Sequence, residues 1–125
     1  MKKVSVVVLL LSFVMIAFTT CKKDTKITCN LEKADKAPSE MTIVFKAVKT
    51  GDGTISTLTY QVGSTVKTVS NPVLPWTVSV DALADDNISI KATGTTEDGS
   101  LTISYDGENA TDKIEGEDSC SHSND

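Results

Sequence analysis

From Met41 onward the chain is written in short β-rich runs cut by turn signals at nearly regular spacing. None of the runs carries a convincing helical repeat of ten or more residues. Met41–Lys49 puts Ile43, Phe45 and Ala47 on one face, and Gly51-Asp52-Gly53 then turns the chain. Ile55–Val62 places Leu58, Tyr60 and Val62 on one side at period two, the spacing of a half-buried strand. Gly63-Ser64 is a tight-hairpin signal leading into Thr65–Ser70, where Val66 and Val69 break strict alternation. In Asn71-Pro-Val-Leu-Pro-Trp76 two prolines forbid a central strand and predict a crossover between sheets. Alternation resumes with Trp76, Val78 and Val80, then Ile88, Ile90 and Ala92, then Leu101, Ile103 and Tyr105, and a short charged run at Thr111–Glu115 closes the series.

Such a series predicts an all-β chain: an immunoglobulin-like antiparallel β-sandwich of about seven strands over residues 41–116. Phe45, Tyr60, Pro75 and Trp76 are its expected structural core. The sole tryptophan is read as the plug between sheets, with a ligand-facing indole as the alternative.

The first 24 residues follow another logic. Lys2-Lys3 precedes an apolar run from Val4 to Phe18, then Thr19-Thr20-Cys21 and Lys22-Lys23-Asp24. A positive start, a short apolar stretch and small residues before a cysteine describe a secretory signal, residues 1–20, ending at a lipoprotein cleavage site. Cys21 is then the lipidation residue, its thiolate taking a diacylglycerol. Phe18 and Thr20 depart from the usual Leu and Gly, Ala or Ser at those places, so an ordinary signal stays open as an alternative. A membrane span is disfavoured, because it needs about 20 apolar residues and this run is shorter and broken by Ser5 and Ser12. The lipoprotein reading places the chain in the cell envelope, membrane-anchored and facing the periplasm or the cell surface. Residues 21–40 are then a polar tether containing Pro38, and residues 117–125 a polar acidic tail.

Composition narrows the function classes. Beyond residue 20 ten lysines face 17 acids, a formal charge of −7, and the chain has no arginine. That argues against nucleic acid as a partner and against bidentate clamps on phosphate or carboxylate. With Cys21 taken by lipid, Cys29 and Cys120 remain as an even pair in an oxidising compartment, which favours a disulfide over two free thiols. Closing a loop of about 90 residues would restrict the unfolded chain by roughly 4–5 kcal/mol.

Little here supports catalysis. The sole histidine, His122, sits near the end in Cys120-Ser-His-Ser with nothing beside it in sequence to orient an imidazole. Asp85-Asp86 and Glu97-Asp98 fall in turn-like settings where solvated charge is the ordinary state. Asp106–Asp112 offers several oxygen ligands, and Asp52 and Asp85-Asp86 could share an end of a sandwich with it. No calcium-loop pattern accompanies them, and zinc ligands are lacking. The expectation is a protein without enzymatic activity, cofactor or metal.

The succession Leu58-Thr-Tyr60, Val73-Leu-Pro-Trp-Thr77, Ile90-Lys-Ala-Thr-Gly94, Gly99-Ser-Leu-Thr-Ile103 and Asp106-Gly107 resembles the MmpS-type (mycobacterial membrane protein small) transport-accessory domains. The resemblance covers about residues 41–115, and Leu74-Pro75-Trp76 is its most specific piece. It implies a small β-sandwich in the envelope beside an exporter, so its implied partners are the membrane and an envelope transporter or other envelope protein. Ser104 falls in the strand where that family usually has a cysteine, and the anchor there is commonly a helix instead of lipid. The alternative is a structural or surface-displayed sandwich without a transport role.

Overall fold

The computed structural model describes residues 25–124, and in them every regular element is a β-strand. In chain order these are β1 (Ile27–Lys36), β2 (Met41–Gly51), β3 (Thr54–Val62), β4 (Thr65–Ser70), β5 (Trp76–Ala82), β6 (Asn87–Thr96), β7 (Gly99–Glu108) and β8 (Lys113–His122). They form two four-stranded sheets, β1-β6-β3-β4 and β5-β2-β7-β8, with every pairing antiparallel. The β-sandwich is thus present. Its four-plus-four layout differs from the ABED/CFG immunoglobulin arrangement in strand number and also in strand order, so the sandwich is shown without the immunoglobulin topology expected for it.

The additional strand is β1, within residues read from sequence as a tether. It pairs with β6 along its full length, from Ile27 opposite Thr96 to Lys36 opposite Asn87. Its inward face buries Cys29 and Leu31 only, and the rest of the strand is exposed apart from half-buried Ile27. The acidic tail is likewise not a tail: β8 runs on to His122, which lies opposite Gly99 of β7. Both strands are sheet edges, and edges with polar, charged outer positions resist pairing with other chains.

Alternation decides the core. Ile43, Phe45 and Ala47 of β2, Leu58 of β3, Ile88, Ile90 and Ala92 of β6, and Leu101, Ile103 and Tyr105 of β7 are all buried between the sheets. Each large aliphatic side chain so buried contributes about 1.5–3 kcal/mol relative to exposure. In β3 the register shifts between Ile55 and Thr57, so that Ile55 and Leu58 both face inward, and the Ser56 hydroxyl donates to the Thr93 carbonyl at 3.0 Å. The predicted Gly63-Ser64 hairpin forms, with Gly63 at φ 61° where a side chain would be strained.

The strand directions give the sandwich two poles. At one lie the start of β1, the β2–β3 and β6–β7 turns, the 71–75 crossover and the end of β8. At the other lie the β1–β2, β3–β4, β5–β6 and β7–β8 connections.

Candidate functional site

The two long sides of the sandwich are closed in different ways. Along one, β1 and β8 approach from opposite sheets, and Cys29 and Cys120 form a disulfide with their Cα atoms 6.1 Å apart. In the middle of this seam the Glu32 amide donates to Asp118 Oδ2 at 2.9 Å. Further on, Tyr105 lies opposite Gly116 of β8, where an added Cβ would stand 2.5 Å from Tyr105 Cζ and Oη and 2.9 Å from Lys33 Cγ. Glycine here lets the phenol ring lie across the edge strand. Tyr105 Oη is buried without a hydrogen-bond partner. Burial, and then the nearby Asp35 carboxylate on β1, push its pKa up to about 12.

The other long side is open. β4 and β5 end their sheets there, each paired on its inner side only among the described residues. An aromatic row leads out to it from the core: Tyr105 to Phe45 at 6.4 Å between ring centroids, Phe45 to Tyr60 at 5.3 Å, and Tyr60 to Trp76 at 5.5 Å. Phe45 is fully buried, as the sequence suggested. Tyr60 and Trp76 are half-buried and pack against the core from its margin, because Trp76 begins an edge strand with no further strand to cover it. Trp76 is therefore a stopper at the open side, short of the central plug expected. Pro75 is exposed and does not belong to the core; its contribution is local, in the cis peptide that follows Leu74 and brings the crossover into β5.

Between that crossover and the β2–β3 hairpin is a groove of about 340 Å³ lined by Lys49, Ile55, Pro72, Val73 and Leu74 among others. Val73 is 85% exposed, well above Leu83 (63%) and Val66 (55%). Asn71 holds the left-handed φ of 50° that starts the crossover, and its amide donates to the Ser56 carbonyl at 2.8 Å.

At the same pole Asp52 works as a clasp. Its Oδ1 accepts from the Thr96 hydroxyl at 3.0 Å, the Glu97 amide at 3.0 Å and the Asp98 amide at 3.1 Å. The Asp98 and Glu97 amides, in that order, hold its carboxyl below the ordinary value of 3.8. His122 is not free: its Nδ1 lies 2.7 Å from the Glu97 carbonyl, and Glu97 pairs with Lys26 at 3.8 Å. The aspartate-rich turns do not converge. Asp52 stands at one pole, while Asp85-Asp86 and Asp112 stand at the other. There Asn109 Oδ1 accepts from the Thr111 and Asp112 amides, and Ser39 donates to Asp112 Oδ2. Among the described residues no group of three or more His, Cys, Asp or Glu side chains is arranged to hold a metal ion.

The outward face of β2, β7 and β8 carries Asp106, Glu108, Glu115 and Glu117 with Lys46 and Lys113 between them, around a shallow depression of about 710 Å³. The outward face of the other sheet is rich in threonine, with Thr59 and Thr68 hydroxyls 3.3 Å apart across β3 and β4. Cys21 lies outside the described residues. The sequence reading missed the Asp52 clasp and the Gly116–Tyr105 contact. The Gly-Asp-Gly turn was a signal for the first, but a glycine inside a charged run gave none for the second.

No protein family matches the chain, and neither a curated protein nor a solved structure is significantly similar to it. The fold and its staple define an all-β, disulfide-linked sandwich domain.

Proposed function

We propose that this chain is a lipid-anchored, non-catalytic binding module of the bacterial cell envelope, held at the membrane through Cys21 and assisting an envelope transporter. The observation that supports it is the asymmetry of the sandwich. One long side is sealed by a disulfide, while the other presents the free outer edges of two strands, β4 and β5, with Tyr60 and Trp76 half-exposed between them. Unpaired edges accept an added strand through main-chain hydrogen bonds, with alternate side chains giving selectivity. The motif resemblance around Leu74-Pro75-Trp76 names the kind of partner. Polar faces on both sheets favour the second reading, a surface-displayed sandwich with no transport role. Crosslinking in native membranes, with a photoreactive group at Ser79 on β5, separates them. A transporter subunit captured from that position supports the accessory reading. Capture of none, in cells expressing the transporter, moves the assignment to display.

A further inference from the structure

The fold begins much closer to the anchor than the sequence suggested. The Thr25 amide donates to Asn124 Oδ1 at 3.1 Å, Ile27 packs against the core, and Cys29 is bonded to Cys120. Four residue steps separate Cys21 from Thr25. Whatever their conformation, four residues span at most about 14 Å. Anchoring at Cys21 would therefore keep one pole of the sandwich within about 14 Å of the anchored residue, too near for a long tether.

That pole has a second feature directed the same way. Three strand spacings across the sheet from β1, the crossover after β4 exposes Val73, flanked by Pro72, Leu74 and Lys49. At about 4.7–4.9 Å per strand this loop stands roughly 15 Å from the point where the chain enters. An apolar tip beside a lysine matches the boundary between headgroups and acyl chains, where apolar side chains are buried and cations stay among the headgroups. Of the acids at the same pole, Glu97 pairs with Lys26 and Asp52 holds the β6–β7 turn, while Asp52 and Asp98 both stay exposed.

We infer that the sandwich stands upright on a lipid surface, held there by an acylated Cys21 through the chain that enters at β1, and touching it with the Pro72-Val73-Leu74 crossover at the other side of the same pole. The inference rests on the lipid anchoring proposed above and adds an orientation to it. Strands of ten residues at about 3.3 Å per residue then carry the opposite pole roughly 33 Å farther out. The open β4/β5 side faces along the membrane, toward whatever is embedded beside it.

The test uses the mature protein extracted in detergent and reconstituted into phosphatidylethanolamine–phosphatidylglycerol vesicles containing a headgroup-labelled acceptor lipid. A donor fluorophore is attached at Asp98→Cys or at Ser64→Cys, one position per pole, with the native disulfide kept oxidised. The mass of the N-terminal peptide first establishes whether Cys21 carries lipid. Energy transfer from position 98 is expected to exceed that from position 64 several-fold. Val73→Asp should narrow the difference while the protein still pellets with the vesicles. Equal transfer from both positions, with lipid on Cys21, overturns the upright stance and leaves the anchor standing. Absence of lipid on Cys21 overturns both.

Discussion

Removing the disulfide should be the most damaging small change available to this fold. Cys29 and Cys120 are 91 residues apart, so the bond closes a loop that takes in nearly the whole domain. For a loop of that length the chain-entropy relation gives about 15.5 cal/mol/K, or about 4.6 kcal/mol at 25 °C. The total stability of a domain this size is about 5–15 kcal/mol, so Cys29→Ala with Cys120→Ala should remove a third or more of it. The melting temperature should fall by on the order of 20 °C. The structure also says where the loss appears first. β1 buries little besides Cys29 and Leu31, and β8 little besides Ile114, so neither edge has apolar area to hold it once the bond is gone. Amides of β1 should lose hydrogen-exchange protection before those of β2 or β7. Thermal melts followed by circular dichroism, with hydrogen exchange on the same samples, measure both. A melting point within about 5 °C of the parent, with β1 still protected, would refute the argument that closure holds these strands.

Gly116→Ala places a methyl where the Tyr105 ring lies, and forcing it in should cost about 1–3 kcal/mol by urea denaturation. With the Tyr105 pKa raised to about 12 in the folded state against 10.0 ordinarily, the folded form binds more protons between those values, so stability should fall as pH rises through that window. Tyr105→Phe should abolish that alkaline loss, which thermal melts of the two proteins across about pH 9–12 would show. Asp52 has the opposite sign. Its lowered pKa means its contribution is present above 3.8 and lost as pH falls below that, so Asp52→Ala should lower the melting temperature at pH 7 and converge with the parent in acid. Trp76→Ala should cost about half of the 3–5 kcal/mol typical of a fully buried aromatic, because the indole is covered on one side only; chemical denaturation would show it.

The central strands were legible because each is covered on one face and wet on the other. Ile43-Phe45-Ala47, Ile88-Ile90-Ala92 and Leu101-Ile103-Tyr105 write that condition into the sequence at period two, and all nine are buried. β1 and β8 were not legible, for a physical reason. In Ile27–Lys36 and Lys113–His122 the inward positions hold only Ile27, Leu31 and Ile114 as large aliphatics, beside cysteine, glycine and charged residues, and a covalent bond and a crossing tyrosine supply the rest of the closure. Thr28-Cys29-Asn30-Leu31 did carry the alternation, over a stretch too short to outweigh the lysines around it. Trp76 was placed on the correct face, but its depth depended on strand order, which a sequence pattern does not specify: as the first residue of an edge strand it is covered from one side. The pairing of Cys29 with Cys120 followed from parity and the expected oxidising compartment, without knowledge that the two strands meet.

The staple between β1 and β8 has a mechanical meaning as well. Any load applied to the chain ahead of Thr25 enters the fold through β1, an edge strand joined on one side only, to β6. Without a crosslink such a strand would slide or peel, and the sheets would be unzipped from that corner. The bond at Cys29 lies at the third residue of β1, so a pull reaches it before most of the β1–β6 ladder. From there it divides, one part into the β1–β6 ladder and the other through Cys120 into β8 and β7 of the second sheet. Two sheets then share in shear what one edge would bear alone. A pull applied ahead of Thr25 is therefore carried by both sheets together.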